Sequence, residues 1–148
     1  MISIVIPTYN NLDYLKLCLM SLEKNSSFKH EIIIHINDGS DGTLNFVKTK
    51  NYKYTISADN IGLCSSINKA ANLVSNRYIL YSHDDMYFCP NWDKVLLDEV
   101  KSLDHDHFYL SGTMIEPKSG HIVCDFGKDL DTFKEDELLS KYLSLIHI

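Results

Sequence analysis

The sequence predicts an α/β fold with a doubly wound, mostly parallel sheet, and three observations carry that prediction. Short apolar runs alternate with stretches of helical periodicity over residues 1–103. Most of these runs are rich in β-branched residues and do not alternate with polar ones, which is typical of strands buried on both faces. Polar or turn-forming residues follow each run directly. Alternation of buried strands with helices favours parallel pairing, and ligands of such sheets bind beyond the carboxyl ends of the strands.

Each predicted strand and helix follows from its own local pattern. The strands are short apolar runs over residues 2–6, 31–36, 53–57 and 77–82, and we interpret the last of them as buried. The helices carry apolar residues three or four positions apart, over residues 12–22, 44–47, 63–74 and 93–103. Asn10 or Asn11 is available as the N-cap of the first helix, and Asp41 as a cap for the second.

Beyond residue 103 the pattern is less regular. It predicts strands over residues 108–115 and 121–126, a turn between them at 116–120, and a charged helix over 135–142. The last six residues, LSLIHI, match the translation of a transposon mosaic-end adapter used in sequencing libraries. We therefore expect a partial natural domain at residues 1–142 and a non-native tail at residues 143–148.

The composition restricts the classes of function. With 148 residues, of which 45% are hydrophobic and 23% charged, the chain has the size and composition of one globular domain. A net charge of −6 disfavours broad nucleic-acid binding, and no apolar run is long enough to predict a membrane span. The four cysteines are widely spaced without a C-x-x-C pair, which predicts reduced thiols and a cytoplasmic location.

Four sets of residues follow the predicted strands and would meet at one edge of a parallel sheet. They are Pro7–Asn11, Asn37–Asp41, Ala58–Gly62 and His83–Asp85. In the first set, Tyr9 is placed to stack on a base, while Thr8 and Asn10 offer hydrogen bonds. A strand-ending proline followed by a helix cap is the alternative interpretation of this set, but it does not explain an exposed tyrosine.

The second and third sets carry candidate nucleotide contacts. Asp38 is able to accept a hydrogen bond from a ring N–H such as that of uracil, although Asp, Gly and Ser also form ordinary turns. Gly62 opens a helix and permits close backbone approach to a phosphate or nucleotide. For Asn60 and Gly62 a simple helix cap is the alternative. Neither G-x-G-x-x-G nor a Walker lysine motif is present, so a dinucleotide fold and a P-loop are not supported.

The fourth set places Asp84 and Asp85 after an apolar strand with no basic residue nearby. Buried carboxylates are costly unless paired or metal-bound, and Mg²⁺ prefers one or two carboxylates together with phosphate oxygens. Successive strand residues point to opposite sides, so we expect one carboxylate on a metal and the other on a ribose hydroxyl or the backbone. A solvated acidic turn is the alternative, but it does not explain the placement after a strand.

Together, the stretches IVIPTYNN, INDGSDGT, DNIGLCSSINKAA and YILYSHDDMYFCPNW resemble, in order and spacing, family 2 glycosyltransferases of the GT-A fold. The resemblance covers residues 2–100. It implies a site for a nucleotide-diphosphate sugar, with a UDP-sugar favoured, and transfer with inversion to an acceptor hydroxyl on an unknown glycan, lipid or protein. It implies that the nucleotide is held by Pro7, Thr8, Tyr9, Asn10 and Asp38, with Asn60 and Gly62 nearby.

The resemblance also implies a metal motif of the D-x-D type. Asp85 would bind Mn²⁺ or Mg²⁺ on the diphosphate, and Asp84 would contact the ribose side or serve as a further metal ligand. Two positions depart from the family pattern, because Ser82 replaces the usual first aspartate and Ile67 replaces a common basic residue. These departures bear on which carboxylate binds the metal and on the contacts with the base.

The family's general base lies later in the chain, beside the acceptor site. The acidic run at 135–137 comes too early for that base and is interpreted as a solvated helix face. We therefore expect the general base and the acceptor half to be missing from these 148 residues. Two alternatives remain, namely a nucleotide-diphosphate-binding module without transferase activity and a sugar nucleotidyltransferase. The absence of a glycine- and lysine-rich loop after the first strand argues against the second.

Overall fold

The computed structural model describes residues 1–118 and 120–145, with side chains described as far as residue 142. The chain divides into two compact units, Met1–Pro90 and Asn91–Ile148. Of the predicted non-native tail at 143–148, residues 146–148 lie outside the described residues. The boundary at residue 142 stays a prediction.

The first unit alternates strands and helices in the predicted order. The elements are β1 (Ile2–Tyr9), α1 (Leu12–Asn25), β2 (Glu31–Asn37), α2 (Thr43–Thr49), β3 (Lys53–Ser57), α3 (Leu63–Ala71) and β4 (Tyr78–Tyr81). The strands form one sheet in the order β3-β2-β1-β4, and every neighbouring pair is parallel. The predicted α/β fold with a mostly parallel sheet is confirmed.

The core lies on both faces of the two central strands. Val5 of β1 and Ile33 of β2 are register partners, and both are fully buried in a cluster with Ala70 of α3. Because side chains alternate along a strand, Ile4, Ile6, Ile34 and Ile36 point to the opposite face. These four residues are also buried. Burial on both faces explains why β1 and β2 read as continuous apolar runs.

The interpretation of residues 77–82 as a buried strand is wrong. β4 pairs with β1 and lies at the edge of the sheet. Ile79 is 54% exposed and Tyr81 is 37% exposed. The apolar composition is that of a strand, but burial depends on what packs against it, and a local sequence pattern does not contain that information.

The second unit contains α4 (Trp92–Ser102), β5 (Ile115–Glu116), β6 (Ile122–Val123) and α5 (Glu135–Leu145). The predicted strand over 108–115 is wrong for residues 108–114, which have no regular structure, and that over 121–126 shortens to two residues. Tyr109, the second residue of the first stretch, is 91% exposed. A strand propensity is realised only where a neighbour supplies pairing and burial. None of the helices that the structure describes has the length and hydropathy of a membrane span.

The loops after β1 and β2 are joined by a shared cap. Asn11 occupies the N-cap position of α1 but makes no side-chain capping bond. Instead, the Asp41 carboxylate accepts hydrogen bonds from the Leu12 N–H at the start of α1 (2.9 Å) and the Thr43 N–H at the start of α2 (3.0 Å). Burial alone would raise the pKa of Asp41, but these hydrogen bonds hold it below its usual value. The prediction that Asp41 caps α2 is confirmed, and the asparagine cap of α1 is replaced by a tertiary one.

At the opposite, amino-terminal edge of the sheet, Glu31 joins three segments. Its carboxylate accepts hydrogen bonds from Ser3 of β1, from Lys53 of β3, and from the Ser75 N–H (2.9 Å) and Oγ (2.7 Å) just before β4. Burial would raise the pKa of Glu31, but these four donors lower it to about 2.

Glu31→Gln is expected to lower the free energy of unfolding at pH 7 by about 2 kcal/mol, because the donors would lose a charged acceptor. A depressed pKa stabilises the fold above the ordinary pKa of 4.5, and this contribution is lost as the pH falls from 4.5 towards 2. The difference between wild type and variant should therefore shrink over that window. Urea unfolding at several pH values measures it, with Asp13→Asn, which removes an exposed ion pair with Lys16, as a control that changes stability by less than about 0.5 kcal/mol. A difference that stays constant from pH 7 to pH 2 would contradict this account.

Candidate functional site

A pocket of about 360 Å³ opens at the carboxyl edge of the sheet. Seven of the predicted site residues line it, namely Pro7, Thr8, Tyr9, Asn10, Asn60, Gly62 and Asp84. Four further residues line it: Asn11 and Asn37, which belong to the predicted strand-end sets but were assigned no role, and Leu63 and Ser66, which were not predicted. Asp38 and Asp85 lie outside the lining, each adjacent in sequence to a residue that belongs to it. None of these lining residues is basic, so an anionic ligand would need a cation from solution.

A larger cavity of about 750 Å³ opens at the amino-terminal edge, between the segments 26–32 and 50–53. Its lining includes Glu31 and Lys53, which hydrogen-bond to each other. Ligands of parallel α/β sheets bind at the carboxyl ends of the strands, so we assign the site to the smaller pocket.

Asp84 is fixed to the end of β1. The Thr8 hydroxyl donates a hydrogen bond of 2.6 Å to Asp84 Oδ2, and the Asn11 side chain also bonds to this carboxylate. Burial raises the pKa of Asp84 and the neighbouring charge of Asp85 raises it further, although the bonds from Thr8 and Asn11 oppose the shift. An additional positive charge at this point would therefore be stabilising.

Asp85 differs from its neighbour in exposure and in bonding. Its side chain is exposed, and it accepts no hydrogen bond from the part of the chain that the structure describes. Within residues 1–118 and 120–145 no three His, Cys, Asp or Glu side chains are grouped closely enough to hold a metal ion. One or two carboxylates do suit a Mg²⁺ or Mn²⁺ ion that takes its other ligands from phosphate oxygens and water. The residues present fit a metal that arrives with a phosphate-bearing ligand.

Asp38 and Asn10 connect the loops after β1 and β2. Asn10 Nδ2 donates to Asp38 Oδ2 (2.9 Å), and Asn10 Oδ1 accepts from the Gly39 N–H (3.1 Å). Both residues have positive φ, 46° for Asn10 and 64° for Asp38, a conformation that Asn and Asp tolerate better than other side chains. The second carboxylate oxygen of Asp38, Oδ1, accepts no hydrogen bond from the described residues.

Two apolar side chains in the pocket lining are unusually exposed. Tyr9, the last residue of β1, is 52% exposed, and Leu63, the first residue of α3, is 47% exposed. An apolar surface that folding leaves open inside a polar pocket is suited to the face of a planar ring. The sequence could have identified Leu63 as a lining residue, since it directly follows Gly62 at the predicted start of a helix.

Gly62 occupies a conformation that favours glycine. Its φ of 79° and ψ of 164° place it in the mirror image of the extended region, and a Cβ there would meet no atom within 4 Å. Its N–H donates to Asn60 Oδ1 (3.0 Å), so the two predicted residues form one turn that begins α3. Ligand approach and helix capping are therefore compatible at Gly62, since the missing side chain leaves open space beside the backbone.

Asn37, at the end of β2, is 4% exposed, and the sequence placed it in the second strand-end set without assigning it a role. Its amide Nδ2 donates to the Thr8 carbonyl (3.2 Å), and its Oδ1 accepts from the Ile61 N–H (3.0 Å). It also exchanges hydrogen bonds with the hydroxyls of Ser57 and Ser66. A signal was present, because Asn37 lies two and four residues beyond His35 and Ile33 and so shares their buried strand face.

Cys18 of α1 lies behind the carboxylate motif, where its thiol donates to the His83 carbonyl over 3.6 Å. Burial raises the pKa of this thiol to about 12, and the negative charge of Asp84 acts in the same direction. The thiol therefore stays protonated at neutral pH and is not a reactive nucleophile.

Comparison with known protein families decides the assignment. The sequence model for glycosyl transferase family 2 matches residues 3–135. The chain belongs to this family. The match includes every predicted site residue, and the resemblance found from the four strand-end motifs is confirmed. None of the curated protein sequences matches the chain.

Solved structures of glycosyltransferases share the fold. TarS 1-349 of S. aureus in complex with UDP has a TM-score of 0.61 and 24% identity, over 68% of this chain and 32% of that one. The mannosyltransferase PcManGT of Pyrobaculum calidifontis, in complex with GDP-Man and Mn²⁺, has a TM-score of 0.57 and 17% identity, over 70% of this chain and 32% of that one. At these identities the likeness shows the fold. The chain spans about a third of the length of these proteins.

Proposed function

We propose that this chain binds a nucleotide-diphosphate sugar, with a UDP-sugar favoured, as the donor site of an inverting glycosyltransferase. The observation that carries the proposal is the convergence of Tyr9, Asn60, Gly62 and Asp84 on one pocket at the carboxyl edge of a family 2 fold. UDP bound to TarS and GDP-Man with Mn²⁺ bound to PcManGT support the ligand class.

The roles of the residues follow from their positions. Tyr9 stacks on the base, and Asp38 accepts a hydrogen bond from the ring N–H of the base. Pro7, Thr8 and Asn10 line the same part of the pocket. The Asn60–Gly62 turn lies against the ribose and phosphates. Because Gly62 has no side chain, the ligand is able to approach its backbone closely. Asp84, fixed by Thr8, bonds to the ribose side, and the unengaged Asp85 binds Mn²⁺ or Mg²⁺ together with the diphosphate.

The reaction is an in-line displacement at the anomeric carbon, in which an acceptor hydroxyl forms the new bond as the nucleoside diphosphate leaves. When bound, the divalent cation neutralises the charge that builds on the leaving diphosphate. A carboxylate takes the proton of the acceptor hydroxyl. We assign no residue of this chain to that general base or to the acceptor site.

Calorimetric titration with UDP tests the donor site. In Mn²⁺ we expect binding at least about tenfold tighter than in EDTA, because the pocket has no basic residue to meet two phosphates. Mg²⁺ should replace Mn²⁺ in part. Equal affinities in Mn²⁺ and EDTA, for a folded sample, would contradict the metal site, and no binding in either buffer would contradict the proposed donor site.

A further inference from the structure

We propose that Asn37 is a positioning residue that holds the walls of the donor pocket in place. The inference rests on the proposed function and deepens it, since it explains what fixes the loop that carries Asn60 and Gly62. The loop is exposed and belongs to neither a strand nor a helix, so its own backbone bonds do not define its position.

The Asn37 amide is bonded on both of its polar atoms. Nδ2 donates to the Thr8 carbonyl at the end of β1 (3.2 Å) and to Ser66 Oγ of α3 (3.1 Å). Oδ1 accepts from the Ile61 N–H (3.0 Å) and from Ser57 Oγ at the end of β3 (3.1 Å). One buried side chain thus links β1, β3, α3 and the loop between β3 and α3.

Two further bonds extend this link to the pocket surface. The Ser66 hydroxyl, which accepts a hydrogen bond from Asn37, donates one to the Gly62 carbonyl (2.7 Å). Asn37 is therefore connected to Gly62 through Ser66. Thr8, whose carbonyl Asn37 contacts, carries the hydroxyl that fixes Asp84. The positions of Gly62 and Asp84, on two sides of the pocket, therefore depend on the same amide.

The buried side chain of His35 extends this hydrogen-bond network below Asn37. His35 lies two residues before Asn37 on the same strand face, and its Nε2 is 3.2 Å from Ser57 Oγ while its Nδ1 is 2.7 Å from Thr55 Oγ1. The ring is fully buried. Buried polar groups are costly unless they are bonded, and the bond to Ser57 connects His35 with the hydroxyl that donates to Asn37.

The positioning role is tested by amide hydrogen exchange of the free protein. Asn37→Leu removes both the donor Nδ2 and the acceptor Oδ1. The Ile61 N–H should then exchange at least about tenfold faster relative to the amides of β1. Asn37→Asp is isosteric and keeps the acceptor, so Ile61 should stay within about threefold of wild type. If Asn37→Leu does not fold, Asn37→Ser takes its place. The serine side chain is too short to reach the Ile61 N–H, so the same acceleration of exchange is expected.

Asn76→Leu is the matched control, because Asn76 donates to Ser3 Oγ at the opposite edge of the sheet. It should change the exchange of Ile61 and of β1 by the same factor. UDP binding in Mn²⁺ should weaken by about tenfold in Asn37→Leu and be unchanged in Asn76→Leu.

The inference is overturned if the exchange of Ile61 and of β1 responds equally to Asn37→Leu, or if Ile61 exchanges as fast relative to β1 in Asn37→Asp as in Asn37→Leu, since either result indicates a contribution to global stability alone. Failure of the wild type to bind UDP while Ile61 responds as expected would contradict the proposed function and leave the positioning of the loop confirmed.

Discussion

Asp85→Ala is expected to abolish the metal dependence of UDP binding, so that the affinity in Mn²⁺ falls by at least about tenfold to the value in EDTA. The reason is the division between two neighbouring carboxylates. Asp84 is bonded to Thr8 and Asn11, whereas Asp85 is exposed and accepts no hydrogen bond from the described residues. Asp85 is thus the carboxylate that is able to bind a cation without losing an existing bond.

Calorimetry in Mn²⁺ and in EDTA measures this effect, with Asp98→Ala as a control of the same residue type and charge at an exposed position outside the pocket. The control should bind like wild type in both buffers. Asp84→Ala should weaken binding in both, since it also removes the partner of Thr8. An Asp85→Ala variant that still binds much better in Mn²⁺ would show that the metal is held elsewhere.

Tyr9→Ala is expected to weaken UDP binding by about tenfold, because stacking of a base on an aromatic ring contributes about 1–3 kcal/mol. Tyr9 is half exposed at the end of β1, so its removal should leave the far-ultraviolet circular dichroism unchanged. Tyr9→Phe keeps the ring and should bind like wild type. Equal binding by Tyr9→Ala and Tyr9→Phe would place the base elsewhere.

Asp38→Asn is the companion variant for the hydrogen bond to the base. Asparagine tolerates the φ of 64° at this position, whereas alanine would be strained there and would confuse the result. Loss of the charge should weaken UDP binding by about fivefold, since hydrogen bonds to charged acceptors are roughly twice as strong as neutral ones. Wild-type affinity in this variant would remove Asp38 from the base site.

The sequence by itself determined the order of strands and helices in the first unit and the four polar segments that follow the strands. These features depend on local chemistry. β-Branched runs favour strands, apolar spacing of three or four favours helices, and turn residues mark the ends. They identify the carboxyl edge of the sheet, and nine of the eleven residues that line its pocket belong to the four strand-end segments.

Only the tertiary structure decided which of these groups contact one another. The hydrogen bonds from Asn37 to Thr8 and to Ser66 each span 29 residues of sequence, as does the capping of Leu12 by Asp41. Such partners are brought together by the parallel register that pairs Tyr9 with Asn37 and Asn37 with Ser57. The exposure of Ile79 at the sheet edge has the same origin, because propensity belongs to a segment, whereas burial and hydrogen-bond partners depend on its neighbours in space.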